Sequence, residues 1–300
     1  MQFLALINGG SGTLKSVDHE EFAADLETAL QNNGHSADLI FIDEIGMDTA
    51  LEKAKASTAD GLIAAGGDET LSACAGIAWK TGKVLAVLPG GTMNLYANTV
   101  GMPLALDEAI QALASGKERP ADIVTANGRP FIHQYSIGFQ PSAAKQRSKM
   151  NFGSRAGKMI ATLRAMVGVT LSPPSFPVEF SLDGKERTRA RVSAFAVSNN
   201  VLGQGHVPFA EKLDGGVLGV YCTMTVTPRE AVHLLVELLL GTWANNENVK
   251  ADKAAEVVLK LPKNNRRTRA TIDGELVDLP SKVSFSMHPG ELRLWVPDED

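Results

Sequence analysis

From Gln2 to about Val124, short apolar runs alternate with helical patterns, and this limits the possible folds of the chain more than any other feature. FLALI precedes EEFAADLETAL, ADLIFI precedes TALEKAKAS and GLIAA precedes TLSACAGIAW. VLAVLP is followed by a short helix from Met93 and another through LDEAIQALAS. A β-α series of this kind buries a parallel sheet between layers of helices. Connection rules bring the loops that follow the strands to one edge, where open α/β sheets bind ligands. Three of these loops are rich in glycine: Asn8-Gly9-Gly10-Ser11-Gly12, Gly66-Gly67-Asp68-Glu69-Thr70 and Pro89-Gly90-Gly91-Thr92-Met93-Asn94.

Any one of them has a plain explanation as a tight turn, with Asp68 or Thr70 capping the helix that follows. Three on one edge carry more, because turn-making alone does not bring Ser11, Asp68, Thr70, Thr92 and Asn94 together. Glycine lets the backbone approach a ligand closely, and a helix start offers N–H groups and a positive dipole end. The combination points to a shared polyphosphate site. It is not a P-loop, since no GxxxxGK[ST] occurs, and it lacks both the GxGxxG spacing and the protein-kinase loop set.

Beyond Val124 the texture turns to alternating, β-rich segments: FIHQYSIGF, FPVEFSL, ARVSAFAVS, GVLGVYCTM, AEVVLKL, TRATIDGEL and KVSFSM. These predict an antiparallel sandwich, interrupted by helices near Ser154 to Val167 and Pro228 to Leu240. TANGR, Thr125 to Arg129, is a turn near the boundary. The expected domains are therefore 1–125, a three-layer α/β domain with a parallel sheet, and 126–300, an antiparallel β-sandwich.

The net charge of −5 over 300 residues excludes a general polyanion binder. Cys74 and Cys222 have no CxxC pairing, which argues against a disulfide framework or a zinc knuckle and fits a reducing cytosol. The N-terminus MQFLALINGGSG reads as a first strand rather than a secretory signal. AVHLLVELLLGTW, Ala231 to Trp243, is too short to span a bilayer, and Thr227-Pro228-Arg229-Glu230 before it is a capping-box start. The six histidines, His19, His35, His133, His206, His233 and His288, show no metal-ligand spacing. Neither GxSxG nor HExxH occurs.

One stretch is one-sidedly basic. From Pro141 to Val178 there is no acid, while Lys145, Arg147, Lys149, Arg155, Lys158 and Arg164 interleave with Met150, Phe152, Met159, Ile160, Leu163, Met166 and Val167. That suits an anionic bilayer surface, with each basic residue contributing ~1 kcal/mol near it, and equally suits a helix packed on the sandwich with a solvated charged face. Lys260, Lys263, Arg266, Arg267 and Arg269 form a second basic run, read either as a solvated turn or as an approach to headgroups or phosphate. Neither run carries a nucleic-acid reading motif.

GGDET at Gly66 to Thr70 resembles the GGDGT signature of the diacylglycerol kinase catalytic-domain family of lipid kinases, which is distantly similar to NAD kinases. INGGSG at Ile7 to Gly12 and LPGGTMN at Leu88 to Asn94 look like the family's N-P-x-S-G and P-x-G-T-x-N loops. SNN at Ser198 to Asn200 with Gly203 and Gly205, PFAEKLDGGVLGV at Pro208 to Val220 and IDGE at Ile272 to Glu275 match its later motifs in order.

The resemblance implies an ATP-binding α/β domain, a β-sandwich domain, and phosphoryl transfer from ATP to a lipid hydroxyl in the cleft between them. By that implication Gly66, Gly67, Thr70 and Thr92 hold the ATP phosphates, with Asn8, Ser11, Glu69, Gly91 and Asn94 in the same site. Asp68 holds catalytic Mg²⁺ or orients the acceptor hydroxyl, and either Asp273 or Glu275 is the general base. Glu211, Asp214 and Gly216 hold a structural magnesium. Partners would be a lipid substrate and an anionic membrane surface met peripherally from the cytoplasm, with no nucleic acid; a homodimer through the second domain stays open.

The chain also departs from the pattern. Glu69 stands where the signature has glycine, Leu95 where the family often has an acid, and Gly9 where it has proline. Beside a diacylglycerol-like acceptor, a ceramide or sphingosine kinase, a soluble NAD kinase-like enzyme and a non-catalytic lipid- or nucleotide-binding member are therefore also carried.

Overall fold

The computed structural model describes residues 1–147, 155–205, 208–262 and 269–298. Lys149, Met150, Phe152, Lys263, Arg266 and Arg267 lie outside them, as do the side chains of Arg147, Arg155, Lys158, Met159 and Leu163. The chain divides into two compact units, 1–123 with 212–214 and 289–300, and 124–211 with 215–288.

The first unit begins β1 (Gln2–Ile7), α1 (His19–Asn32), β2 (Ser36–Phe41), α2 (Ile42–Ile45), α3 (Met47–Ala56), β3 (Gly61–Gly66), α4 (Asp68–Thr81), β4 (Val84–Pro89), α5 (Leu95–Val100) and α6 (Leu106–Ala114). β5 (Lys117–Ala126) then runs on into the second unit. There follow β6 (Arg129–Phe131), β7 (Gln134–Gly138), α7 (Phe139–Arg147), α8 (Arg155–Leu171), β8 (Phe176–Leu182), β9 (Thr188–Asn199), β10 (Leu218–Met224) and α9 (Pro228–Leu240). The last strands are β11 (Val249–Ala254), β12 (Glu256–Lys260), β13 (Arg269–Ile272), β14 (Glu275–Asp278) and β15 (Lys282–Val296).

In the first unit β4, β3, β1 and β2 lie side by side and parallel. Every residue of β3 and β4 is buried, as are Phe3–Ile7 of β1, because helices cover both faces of the sheet. Phe3, Ala5, Ile7, Ile63, Ala65, Ala86 and Leu88 share one core with Phe22, Leu26 and Leu30 of α1 and Ile110 and Leu113 of α6. On the other face α4 lies on β3 and β4 with Leu71, Cys74, Ala75 and Ala78 buried, and α3 packs beside it. α1 starts cleanly because the Asp18 carboxylate accepts from the N–H groups of Glu20 and Glu21.

Residues 289–300 group with the first unit. β15 lends its first part to the second unit, where it pairs with β12. Its last part runs parallel to β4, Leu294 beside Leu85 and Trp295 beside Ala86. The Trp295 indole fixes this end by donating to the Leu113 carbonyl at 2.8 Å and meeting the Phe3 ring edge-on.

In the second unit the pairings are antiparallel, in the order β14-β13-β7-β9-β8-β12-β15, with β10 on β9 and β11 on β10. Val178, Phe180, Val192, Phe195, Val197, Leu259 and Phe285 fill its core. α9 carries the capping box expected at Thr227 and Glu230. FIHQYSIGF is not one strand: β6 stops at Phe131 and β7 starts at Gln134, leaving the N–H groups of Ile132 and His133 available to a side chain. α7 is a further helix that alternation reasoning overlooked.

Candidate active site

The loops after β1, β3 and β4 of the first unit touch one another through glycine backbone. A Cβ on Gly91 would lie 2.7 Å from the Gly67 Cα, one on Gly90 2.9 Å from the Gly66 Cα, and one on Gly12 2.6 Å from the Gly90 carbonyl oxygen. Real Cβ atoms do not approach backbone so closely, so these three contacts require glycine. Hydrogen bonds tie the same loops together. Gly90 N–H donates to the Gly66 carbonyl at 2.8 Å and Thr13 N–H to the Gly90 carbonyl at 2.9 Å. The Ser11 hydroxyl lies 2.8 Å from the Asn8 carbonyl and 3.2 Å from that of Gly90.

Side chains complete the brace. Asn8 Nδ2 donates to Thr70 Oγ1 at 3.0 Å, and Asn94 Oδ1 accepts from Gly91 N–H at 2.7 Å. Asn94 takes φ +50°, a left-handed conformation that asparagine tolerates, and this delays α5 to Leu95 rather than Met93. Asp68 Oδ1 accepts from Tyr96 N–H at 3.0 Å, so the acid of the second loop holds the first turn of the helix after the third. Thr70 is buried, its side chain against Gly66. Its hydroxyl oxygen, accepting from Asn8, thus braces the first loop against the second.

α4 starts at Asp68 with Gly67 in the cap position and no side-chain cap, so its positive end is left to the loop. Glu69 is exposed on the first turn and Thr92 is half-buried. Behind the loop, burial pushes the Cys74 thiol up to about 12, which leaves it a core group. Asn8, Ser11, Gly66, Gly67, Asp68, Thr70, Gly91 and Asn94 are therefore brought together by named contacts. Glu69 and Thr92 sit in the same loops. Sequence reading passed over Tyr96, which acts through its backbone N–H, and saw Gly90 only as part of a glycine pair.

In the second unit Asp273 and Gly274, at φ +46° and +92°, form the tight hairpin turn between β13 and β14. Asp273 is buried, and its carboxylate accepts from the N–H groups of Ile132, His133 and Gln134 at 2.9, 3.0 and 2.8 Å. Three amide donors give the Asp273 carboxylate a structural part in fastening this turn to the chain before β7. Glu275 is exposed and paired with Arg129, of the TANGR turn. No local signal joins residues so distant in sequence. Burial pushes the Tyr135 phenol up, removing it as a neutral-pH proton acceptor.

Of the expected metal ligands, Glu211 and Asp214 are exposed and Gly216 takes φ +67°. The Glu211 carboxylate lies over Gly203, where a Cβ would meet it at 2.6 Å. Glu211 and Gly216 belong to the second unit and Asp214 to the first. Among the described residues no three His, Cys, Asp or Glu side chains cluster as a metal site. Of the expected basic run, Lys260 and Arg269 are described, and Arg269 pairs with Asp278 at 3.1 Å.

Residues 2–126 match the family model described as diacylglycerol kinase catalytic domain, and residues 135–296 the one described as YegS C-terminal NAD kinase beta sandwich-like domain. The chain belongs to the diacylglycerol kinase family of lipid kinases. A protein named probable lipid kinase YegS-like from Pseudomonas aeruginosa (strain UCBPP-PA14) is 29% identical over 255 residues, 82% of this chain and 80% of that one. The uncharacterized protein sll0036 of Synechocystis sp. is 24% identical over 255 residues, and the match spans 80% of this chain and about half, 55%, of that relative. The crystal structure of a diacylglycerol kinase from Bacillus anthracis str. Sterne shares the fold, with a TM-score of 0.69 at 18% identity over 99% of this chain and 97% of that one. In this chain the glycine loops lie within the catalytic-domain match and the Asp273 turn within the sandwich-domain match.

Proposed function

We propose that the protein transfers the γ-phosphate of ATP to a hydroxyl of a diacylglycerol-like lipid at a membrane surface. The observation that carries this reading is the fused set of glycine loops at the uncapped start of α4. Phosphoryl transfer asks a protein mainly to position the phosphates, neutralise charge and orient the attacking hydroxyl. Backbone N–H groups of Gly66, Gly67 and the first turn of α4, with the Ser11 and Thr92 hydroxyls, would take the phosphates. Thr70, Asn8 and Asn94 hold those donors in place rather than touching the ligand.

The loops offer few carboxylates, which fits a magnesium ion that keeps its waters and binds chiefly through ATP phosphates, with Asp68 as the protein's oxygen ligand. Bound there, Mg²⁺ would neutralise charge on the transferring group. Glu275 is proposed as the group that takes the acceptor proton, being exposed where Asp273 is clamped. Glu211, Asp214 and Gly216 are kept as proposed ligands of a second, structural ion, tested by whether Asp214→Ala lowers the thermal midpoint gained on adding Mg²⁺.

The membrane part of the reading is supported by the acid-free stretch from Pro141 to Val178 and by the lipid acceptor itself. Among the described residues no helix is long and apolar enough to cross a membrane. The reading is tested by offering labelled ATP with diacylglycerol, ceramide, sphingosine and monoacylglycerol in separate mixed micelles. Label in one lipid names the acceptor, and absence of label from all four rejects the proposed reaction.

A further inference from the structure

Nine large hydrophobic side chains stand exposed among the described residues, and seven of them lie on two helices of the second unit. Four, Val232, Val236, Leu239 and Leu240, are on α9, at 43, 45, 56 and 64% exposure. Three, Ile160, Val167 and Leu171, are on α8, which packs against α9.

α9 is apolar on two sides. Its inner face sets Leu234 and Leu238 on Tyr221 and Trp243, which accounts for the packing of the helix. The four exposed residues, with half-buried Leu235, occupy a second arc of about 140° at 100° per residue, where a surface helix ordinarily carries polar side chains. Both acids of α9 are held away from that arc. Glu230 closes the capping box with Thr227, and Glu237 pairs with Asn246 and His233. On α8, Arg164 stands exposed between Ile160 and Val167, and Arg229 is exposed at the first turn of α9.

We propose that the outer face of α8 and α9 is the surface by which this protein seats on an anionic bilayer. The aliphatic stripe of α9 enters the headgroup–acyl boundary, and Arg164 and Arg229 meet lipid phosphate. The character of the face selects this occupant. Among the described residues its exposed apolar side chains are all aliphatic, without the tryptophan or tyrosine anchors that concentrate energy in protein interfaces. Its charge is positive, in a stretch of chain with no acid from Pro141 to Val178. An aliphatic stripe rimmed by arginine is the pattern of a helix lying in the plane of a membrane. The inference deepens the lipid-kinase reading but stands on vesicle binding, which needs neither ATP nor catalysis.

The test uses flotation of the full chain with vesicles of phosphatidylcholine alone or with 30% phosphatidylglycerol, a proportion of about one anionic lipid in three. Wild type should float with the anionic vesicles and at least tenfold less with neutral ones. The double variant Val236→Glu/Leu240→Glu, at exposed positions and checked by thermal melting, should lose at least tenfold in binding. Leu239→Trp should shift its emission to the blue on binding and be quenched by lipids brominated along the acyl chain. Unchanged flotation of the double variant, or unshifted emission from a bound Leu239→Trp protein, overturns the proposal. So does a lipid-free dimer that the double variant dissociates in sedimentation, which would make the face a contact between copies. Transfer to a water-dispersed short-chain diacylglycerol is measured alongside: its absence with vesicle binding intact counts against the kinase reading alone, and its presence with α9-independent binding counts against this surface alone.

Discussion

The Asp68 carboxylate accepts a hydrogen bond from the Tyr96 N–H at 3.0 Å, so one acidic side chain fastens the start of α5 to the start of α4. Its structural and chemical tasks can be separated. Asp68→Asn keeps an oxygen for Tyr96 but removes the charge; Asp68→Ala removes both. The expected outcome is activity reduced roughly 10²–10³-fold in both, with the melting temperature lowered only in the alanine variant. An active Asp68→Asn enzyme would reduce Asp68 to a brace.

Gly91→Ala should drive a methyl group into the Gly67 backbone and part the loops. The expected cost is about 1–3 kcal/mol of stability, with ATP affinity lowered at least tenfold by calorimetry. Gly10, whose Cβ would meet only Asn8 Oδ1 at 3.6 Å, is the control: Gly10→Ala should fold and bind ATP nearly as wild type.

Asp273 and Glu275 should separate in the same way. Asp273→Ala leaves three N–H groups without their acceptor and should cost at least about 2 kcal/mol of stability, seen as a lowered denaturant midpoint. Glu275→Gln should melt like wild type and lose roughly 10²–10⁴-fold in kcat. Normal turnover by Glu275→Gln would remove it as the proton acceptor.

The closing strand brings a pH dependence. The Arg293 guanidinium donates twice to Glu118, at 2.7 and 2.8 Å, and holds that carboxyl below its usual range. A carboxyl lowered in the folded state contributes stability that is present above its unfolded pKa and lost as pH falls through the folded value. Because both side chains are substantially exposed, Glu118→Gln should cost only about 0.5 kcal/mol at pH 7. The difference from wild type should vanish in melts at low pH, where both carry a neutral group.

The first unit was legible because its signals are local: apolar runs, helix periods and glycine pairs all lie within a few residues of one another. The sequence pointed to three loops sharing an edge, but not to Thr70 and Asn94 acting as braces, because the partners Asn8 and Thr70 stand 62 residues apart. The same distance problem hid the return of β15 to β4 and the pairing of Glu275 with Arg129. At Asp273 the Asp-Gly turn was legible locally, whereas the three amide donors that its buried carboxylate holds lie about 140 residues away and were not. On α9 the apolar run was legible as a helix, whereas its second exposed face could be seen only once the inner face had its partners.

The central claim is that the glycine loops serve phosphoryl transfer to a lipid. Its most direct test is label transfer from [γ-³²P]ATP and Mg²⁺ to diacylglycerol in mixed micelles, with Asp68→Asn and Glu275→Gln beside wild type. The account predicts labelled lipid with wild type and almost none with either variant. A folded wild-type protein that labels neither diacylglycerol nor ceramide, sphingosine or monoacylglycerol would contradict it.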